Sequence, residues 1–247
     1  MSNYSIIRLR LPDIKTPFVS GRINYSDPST KNANAGMIRD IKSKYGSQIN
    51  KWGQVFEIPD AVIIGFIATE SGGKMLGANA YKATGLMQVT PTAIWDCARK
   101  WNASVKSPLP NAALSEINAK IPQLLTSKSG APSTSESNKI INLLKSDANF
   151  NIMAGTLCLR WLIERFSTME TGGQLNKAMV AYNAGPYRVV LNTGKDSLGK
   201  PINITKIPVD STTLATNKQV PLESRGYLYK MLGKDGFLSL IYIDRVI

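Results

Sequence analysis

DAVIIGFIATESGGKMLGANAYKATGLMQ, residues 60–88, begins as an apolar run and ends in a glycine-rich polar segment. Asp60 is placed to cap a helix, and Gly72-Gly73 to stop it after roughly three turns. Ile63, Phe66, Ile67 and Glu70 recur at spacings of three and four, which sets one carboxylate on a stripe with three large apolar side chains. A carboxylate in such a place is paired, hydrated in a cleft or kept protonated. The last helical turn is the negative end of the macrodipole, and partial burial acts in the same direction. Both favour a carboxyl group that keeps a proton near neutral pH, as a general acid must. A lone Glu in an apolar helix is more often matched by an Arg or turned to solvent. The choice between these readings rests on the rest of the chain.

Composition narrows the chemistry. The chain has 247 residues, 43% of them hydrophobic, enough for one large domain or a domain with an appendage. There is no histidine, which removes Ser-His and Cys-His catalysis and the usual zinc sites. The two cysteines, Cys97 and Cys158, lie in apolar helical stretches and read as small core residues; whether they pair is open at this level. No metal site and no cofactor are expected, and carboxylate chemistry is what remains. The net charge of +13, with a pI near 9.7, points to a polyanionic partner. No nucleic-acid-binding motif is visible, so nucleic acid is not the expected partner. An anionic cell wall fits better, and no stretch is long and apolar enough to span a bilayer.

In chain order, residues 4–11 alternate and read as a half-buried strand ended by Pro12. Residues 12–36 read as an extended arm, and 37–50 as a basic helix. The expected division is therefore an N-terminal arm over 1–50 and a main domain over 51–247. Thr90 and Pro91 mark the start of a helix after the Gly85–Gln88 segment. Residues 103–137 read as a polar insertion with a helix near 111–125. Helices are expected over 138–146, 150–166 and 174–184, and one opened by Pro221. The tail GFLSLIYIDRVI, residues 236–247, reads as a strand that could pair with residues 4–11 in a small terminal sheet.

Glu70-Ser71, Gly85-Leu86-Met87-Gln88 and Ala181-Tyr182-Asn183-Ala184-Gly185 resemble, in order and spacing, three signatures of the soluble lytic transglycosylase family. Glu223-Ser224-Arg225-Gly226-Tyr227 resembles its E-T-R-G-Y segment, and Asn151-Ile152 with Gly155 its N-I-x-x-G helix start. The resemblance implies a mainly α, goose-type lysozyme-like fold. It also implies a lytic transglycosylase acting on peptidoglycan glycan strands at the bond between N-acetylmuramic acid and N-acetylglucosamine. Catalysis then falls to Glu70, with Tyr182 orienting it. Ser71, Asn79, Gly85, Met87, Gln88, Asn183, Glu223 and Tyr227 are implied to bind substrate. Asn79 stands where many family members carry Ser. Read without the resemblance, Met87 fits core packing equally well, Gln88 a surface amide and Glu223 a helix-capping carboxylate.

Ordinary glycosidases pair two carboxylates about 5 to 9.5 Å apart, and the next acidic residue after Glu70 here is Asp96. A hydrolytic muramidase on the same fold and an inactive wall-binding protein are the alternatives. The N-terminus MSNYSIIRLRLPDIK shows no apolar signal core. Together with the charge and the N-terminal arm, this yields the expectation of a phage-encoded virion component acting on the bacterial periplasm and cell wall. In that reading residues 1–50 contact other virion or tail proteins; a lysis-stage endolysin is the alternative setting.

Overall fold

The computed structural model describes residues 28–104, 108–127, 130–165, 174–185, 217, 220–233, 235–242 and 244–247, and these are mainly helical. The expected strand at residues 4–11 lies outside them.

Helix α1 spans Pro28–Phe56. Proline opens it without loss, because its missing N–H has no helical partner in the first turn. Ala35, Ile38, Ile41, Ile49, Trp52 and Phe56 then recur at near-helical spacing and are all buried. This buried stripe carries the helix back through residues 28–36, which the polar composition marked as extended arm, and unbroken through residue 50. The correction follows from Ala35 and Ile38: two apolar anchors one turn apart outweigh the Ser and Asn between which they sit.

The described residues divide into two compact units, with the divisions inside helices, at Asp40/Ile41 and at Trp161/Leu162. The unit Ile41–Trp161 is built around α2, Asp60–Ser71. Its cap is Pro59 rather than Asp60, and Asp60 accepts a hydrogen bond from Asn50 at 3.3 Å. All seven residues Val62–Ala68 are buried, so the helix is enclosed on every side instead of presenting a single apolar stripe. Gly72, in the left-handed conformation, ends it by donating its N–H to the Ala68 carbonyl.

Helix α3, Pro91–Ser104, starts where the sequence placed it, with the Thr90 hydroxyl accepting from the Ala93 N–H at 3.1 Å. Helices α4, Asn111–Lys120, and α5, Gln123–Thr126, follow, and α6 spans Thr134–Ser146. Ala113, Ile117, Ile121 and Leu124 are buried, and α5 packs on α3 and α4. The segment marked as an insertion therefore contributes to the core of this unit. Helix α7, Ala148–Arg165, supplies Phe150, Ile152, Met153, Ala154, Leu157 and Leu159, none with exposed surface. Cys97 and Cys158 are free and buried. Burial, then the adjoining Cys158 thiol, holds the Cys97 thiol well above its ordinary range, which leaves it no nucleophilic role.

The other unit contains α8, Gln174–Ala184, packed on α9, Leu222–Leu232, which packs in turn on α10, Phe237–Tyr242. The tail expected as a strand is thus helical at 237–242, and among the described residues it forms no strand. Phe237, Leu238, Leu240 and Ile241 are all buried, and burial on both sides of a short run suits a helix as well as a strand. What ties the tail down is α1: Asn34 donates to the Asp235 carbonyl at 3.1 Å, and Lys31 pairs with Asp244 at 2.6 Å.

Candidate active site

Glu70 stands in the last turn of α2, half-buried, at the point where the enclosed helix reaches the surface. The Ser71 hydroxyl beside it donates to the Ile67 carbonyl at 3.1 Å, within the helix. The chain then forms a loop over residues 72–83 and a tight turn over 84–89, closed by the bridge between Thr84 and Val89. Among the described residues this bridge is the only β pairing. The loop is tied to the turn at its base, where the Gly85 N–H donates to the Leu76 carbonyl at 2.8 Å.

One buried side chain fixes this turn. Asn151, in the first turn of α7, has no exposed surface. Its amide nitrogen donates to the carbonyls of Thr84 and Leu144, both at 2.9 Å, and its oxygen accepts from the Met87 N–H at 2.9 Å. Gly85 takes φ +79°, and a Cβ there would overlap the Asn151 amide and the Leu144 carbonyl, so only glycine admits the clamp. Gly155, one turn further along α7, makes room for Met87 in the same way. The sequence marked Asn151 and Gly155 as a helix start; the structure shows them as the seat of the turn. No local pattern reveals this, because the bonded partners are 64 and 67 positions away.

The residues expected to bind substrate divide by environment. Met87 is fully buried against Gly155, which is the core-packing side of the choice left open by the sequence. Gln88 is half-buried at φ 45°, and its amide donates to the Gly85 carbonyl at 2.9 Å. Asn79 is exposed, with its side-chain oxygen accepting from the N–H groups of Tyr81 and Ala83. Asp96, the next acidic residue after Glu70, is buried in α3 with its carboxylate 3.3 Å from Lys100.

The remaining candidates belong to the other unit. Tyr182 and Asn183 are half-buried at the end of α8, and Asn183 accepts a hydrogen bond from the Ser224 hydroxyl at 2.7 Å. This bond joins the end of α8 to the start of α9. Glu223 is exposed in the first turn of α9, and Tyr227 is buried one turn on. Ser224, seen in the sequence only as part of a motif, proves to be the residue that connects the two helices.

A family model described as Transglycosylase SLT domain matches residues 121–204. The match takes in Asn151, Gly155, Tyr182 and Asn183, covers less than half of the chain, and leaves Glu70, Gln88 and Glu223 outside it. The family match thus includes two of the motifs on which the soluble lytic transglycosylase resemblance rests. Three solved structures are similar. An inactive mutant of the lytic transglycosylase Slt from Pseudomonas aeruginosa is 18% identical, with a TM-score of 0.45, over 82% of this chain and 24% of that one. The soluble lytic transglycosylase of Escherichia coli is 19% identical, with a TM-score of 0.43, over 83% and 26%. A soluble lytic transglycosylase in complex with bulgecin A is 19% identical, with a TM-score of 0.42, over 81% and 25%. The chain spans about a quarter of the length of these structures. No curated protein matches the sequence.

Proposed function

We propose that this protein is a peptidoglycan lytic transglycosylase in which Glu70 acts first as acid and then as base. The observation that carries the proposal is the half-buried placement of Glu70 in the last turn of an enclosed helix, whose chain continues through the 72–83 loop into a turn locked by Asn151. The SLT-domain match over residues 121–204 supports it.

In this mechanism protonated Glu70 donates to the oxygen between N-acetylmuramic acid and N-acetylglucosamine. As that bond breaks, an oxocarbenium-like sugar develops on the muramic acid side. Its own C6 hydroxyl attacks C1, and ionised Glu70 takes the hydroxyl proton. The product is a 1,6-anhydro ring, and the carboxyl group is returned to its starting state. The intramolecular nucleophile needs no second carboxylate to activate water and gains from proximity. Asp96, buried beside Lys100, does not offer a second carboxylate from the same unit. Tyr182 orients the acid in this reading, and Gln88, Asn183 and Glu223 hold sugars.

Digestion of purified sacculi tests the proposal. Glu70→Gln should abolish fragment release, a loss of at least roughly a thousandfold for a group that serves in both proton transfers. No release by either protein would leave the wall-binding reading, and equal release by both would remove Glu70 from the chemistry. The proposed setting is a phage particle that opens the wall locally during infection, and the charge of +13 supports attraction to an anionic wall. Mass spectrometry of purified particles checks this: finding the chain there supports the setting, and its absence removes it.

A further inference from the structure

Tyr81 is 85% exposed, more than any other large apolar or aromatic side chain among the described residues. A second of these exposed side chains, Leu76 at 38%, lies on the same loop. The apex that carries Tyr81 is held by a dense local network. The Asn79 side-chain oxygen accepts from the Tyr81 N–H at 2.8 Å and from the Ala83 N–H at 3.0 Å. The Asn79 backbone adds a bond to the Ala83 carbonyl at 3.1 Å and one from the Lys82 N–H at 2.9 Å. Lys82 takes φ 62°, a conformation that L-residues rarely adopt. Such an arrangement holds Tyr81 outward instead of letting it fold back on the protein.

We infer that Tyr81 is a stacking platform for a pyranose ring, forming an additional glycan subsite on the loop between Glu70 and the Gly85–Gln88 turn. The inference rests on the glycan-cleaving reading of that site and extends it to a residue outside the motifs. A tyrosine ring offers an apolar face with a polar edge, which suits the C–H face and hydroxyl rim of a sugar. Because the backbone is already ordered and the side chain has two rotatable torsions, little freedom is lost on binding. By chain length alone Tyr81 lies within roughly 14 Å of Gly85, so a strand bound at the turn can extend to it. Exposed Lys74 and Lys82 share the loop and match the carboxylates of the peptide stems carried by muramic acid. One ring set among lysines lacks the continuous apolar area that a membrane or a protein partner would cover.

The test measures binding of long glycan strands in the Glu70→Gln background, where no cleavage occurs. Adding Tyr81→Ala should weaken binding roughly tenfold, the upper end expected for a stacked ring. Tyr81→Trp should retain the parental affinity, and Tm should stay within about a degree for both, since this side chain packs on little else. Parental affinity for Tyr81→Ala, or equal weakening by Tyr81→Trp, would overturn the inference. The reading beneath it fails separately, if wild type and Glu70→Gln release fragments from sacculi at the same rate.

Discussion

Asn151 shows how one polar side chain can fix a segment that carries none of the chemistry. Two of its three hydrogen bonds hold the 84–89 turn, the third goes to the Leu144 carbonyl, and Asn151 itself is fully buried. Asn151→Ala takes this partner from the buried Met87 N–H and Leu144 carbonyl, while the Thr84 carbonyl keeps the Val89 N–H. Each unsatisfied group costs about 1–3 kcal/mol, so the variant should lose about 2 kcal/mol or more of unfolding free energy in urea titration. An unchanged midpoint would mean that the turn is held by something else. At this scale the sequence was only partly readable. Glu70, Gly85 and Asn151 stood out by motif, but the choice between core and cleft for Met87 depended on Gly155, 68 positions away. Asn79 is marked as a sugar contact, and in the structure its side-chain oxygen also organises the loop that presents Tyr81.

Among the helices, α4 and α5 changed most between sequence and structure, from an insertion to part of the core. A polar, Ser- and Pro-rich composition hides the buried Ala113, Ile117, Ile121 and Leu124, since their spacing becomes meaningful only once the helix is known. Ile117→Ala should cost about 2–5 kcal/mol, as for other buried aliphatic truncations; a cost below about 0.5 kcal/mol would return the segment to the periphery. The junction of α6 and α7 adds a pH dependence. Partial burial pushes the Asp147 carboxyl up, but Lys120 and the N–H groups of Phe150 and Asn149 outweigh it, and the net shift is downward. A lowered folded value means that the stabilisation is present above the unfolded carboxylate range and is lost as pH falls through the folded value. Stability should therefore drop below about pH 4, and Asp147→Asn should flatten that part of the profile in thermal unfolding. An acid limb of the same steepness in the variant would contradict it. The capping box Ser133–Glu136 was legible as S-x-x-E, yet the 134–137 start of α6 had been absorbed into the insertion. The tail differs from its expected strand for another reason: the run 237–241 is buried on all sides and carries no period to separate strand from helix.

For the whole chain, charge is the property most directly written in the sequence. At +13, attachment to sacculi should weaken as salt rises, because screening shortens the reach of the field to about 8 Å at physiological ionic strength. Cosedimentation with sacculi between low and high salt checks this; binding that does not change with salt would assign attachment to the glycan contacts alone. The helical class was legible in the Thr90–Pro91 start of α3 and the apolar face of α7, while α1 was read only in part, over 37–50. The compact units were not, since their divisions fall inside α1 and α7, where no break in composition marks them. The nucleophile that ends the reaction separates a transglycosylase from a hydrolase, and mass spectrometry of the sugars that wild-type protein releases from purified sacculi identifies it. Attack by the C6 hydroxyl gives muropeptides lighter by one water than reducing-end products, and Glu70→Gln should give none; reducing ends alone would assign the chemistry to a hydrolase.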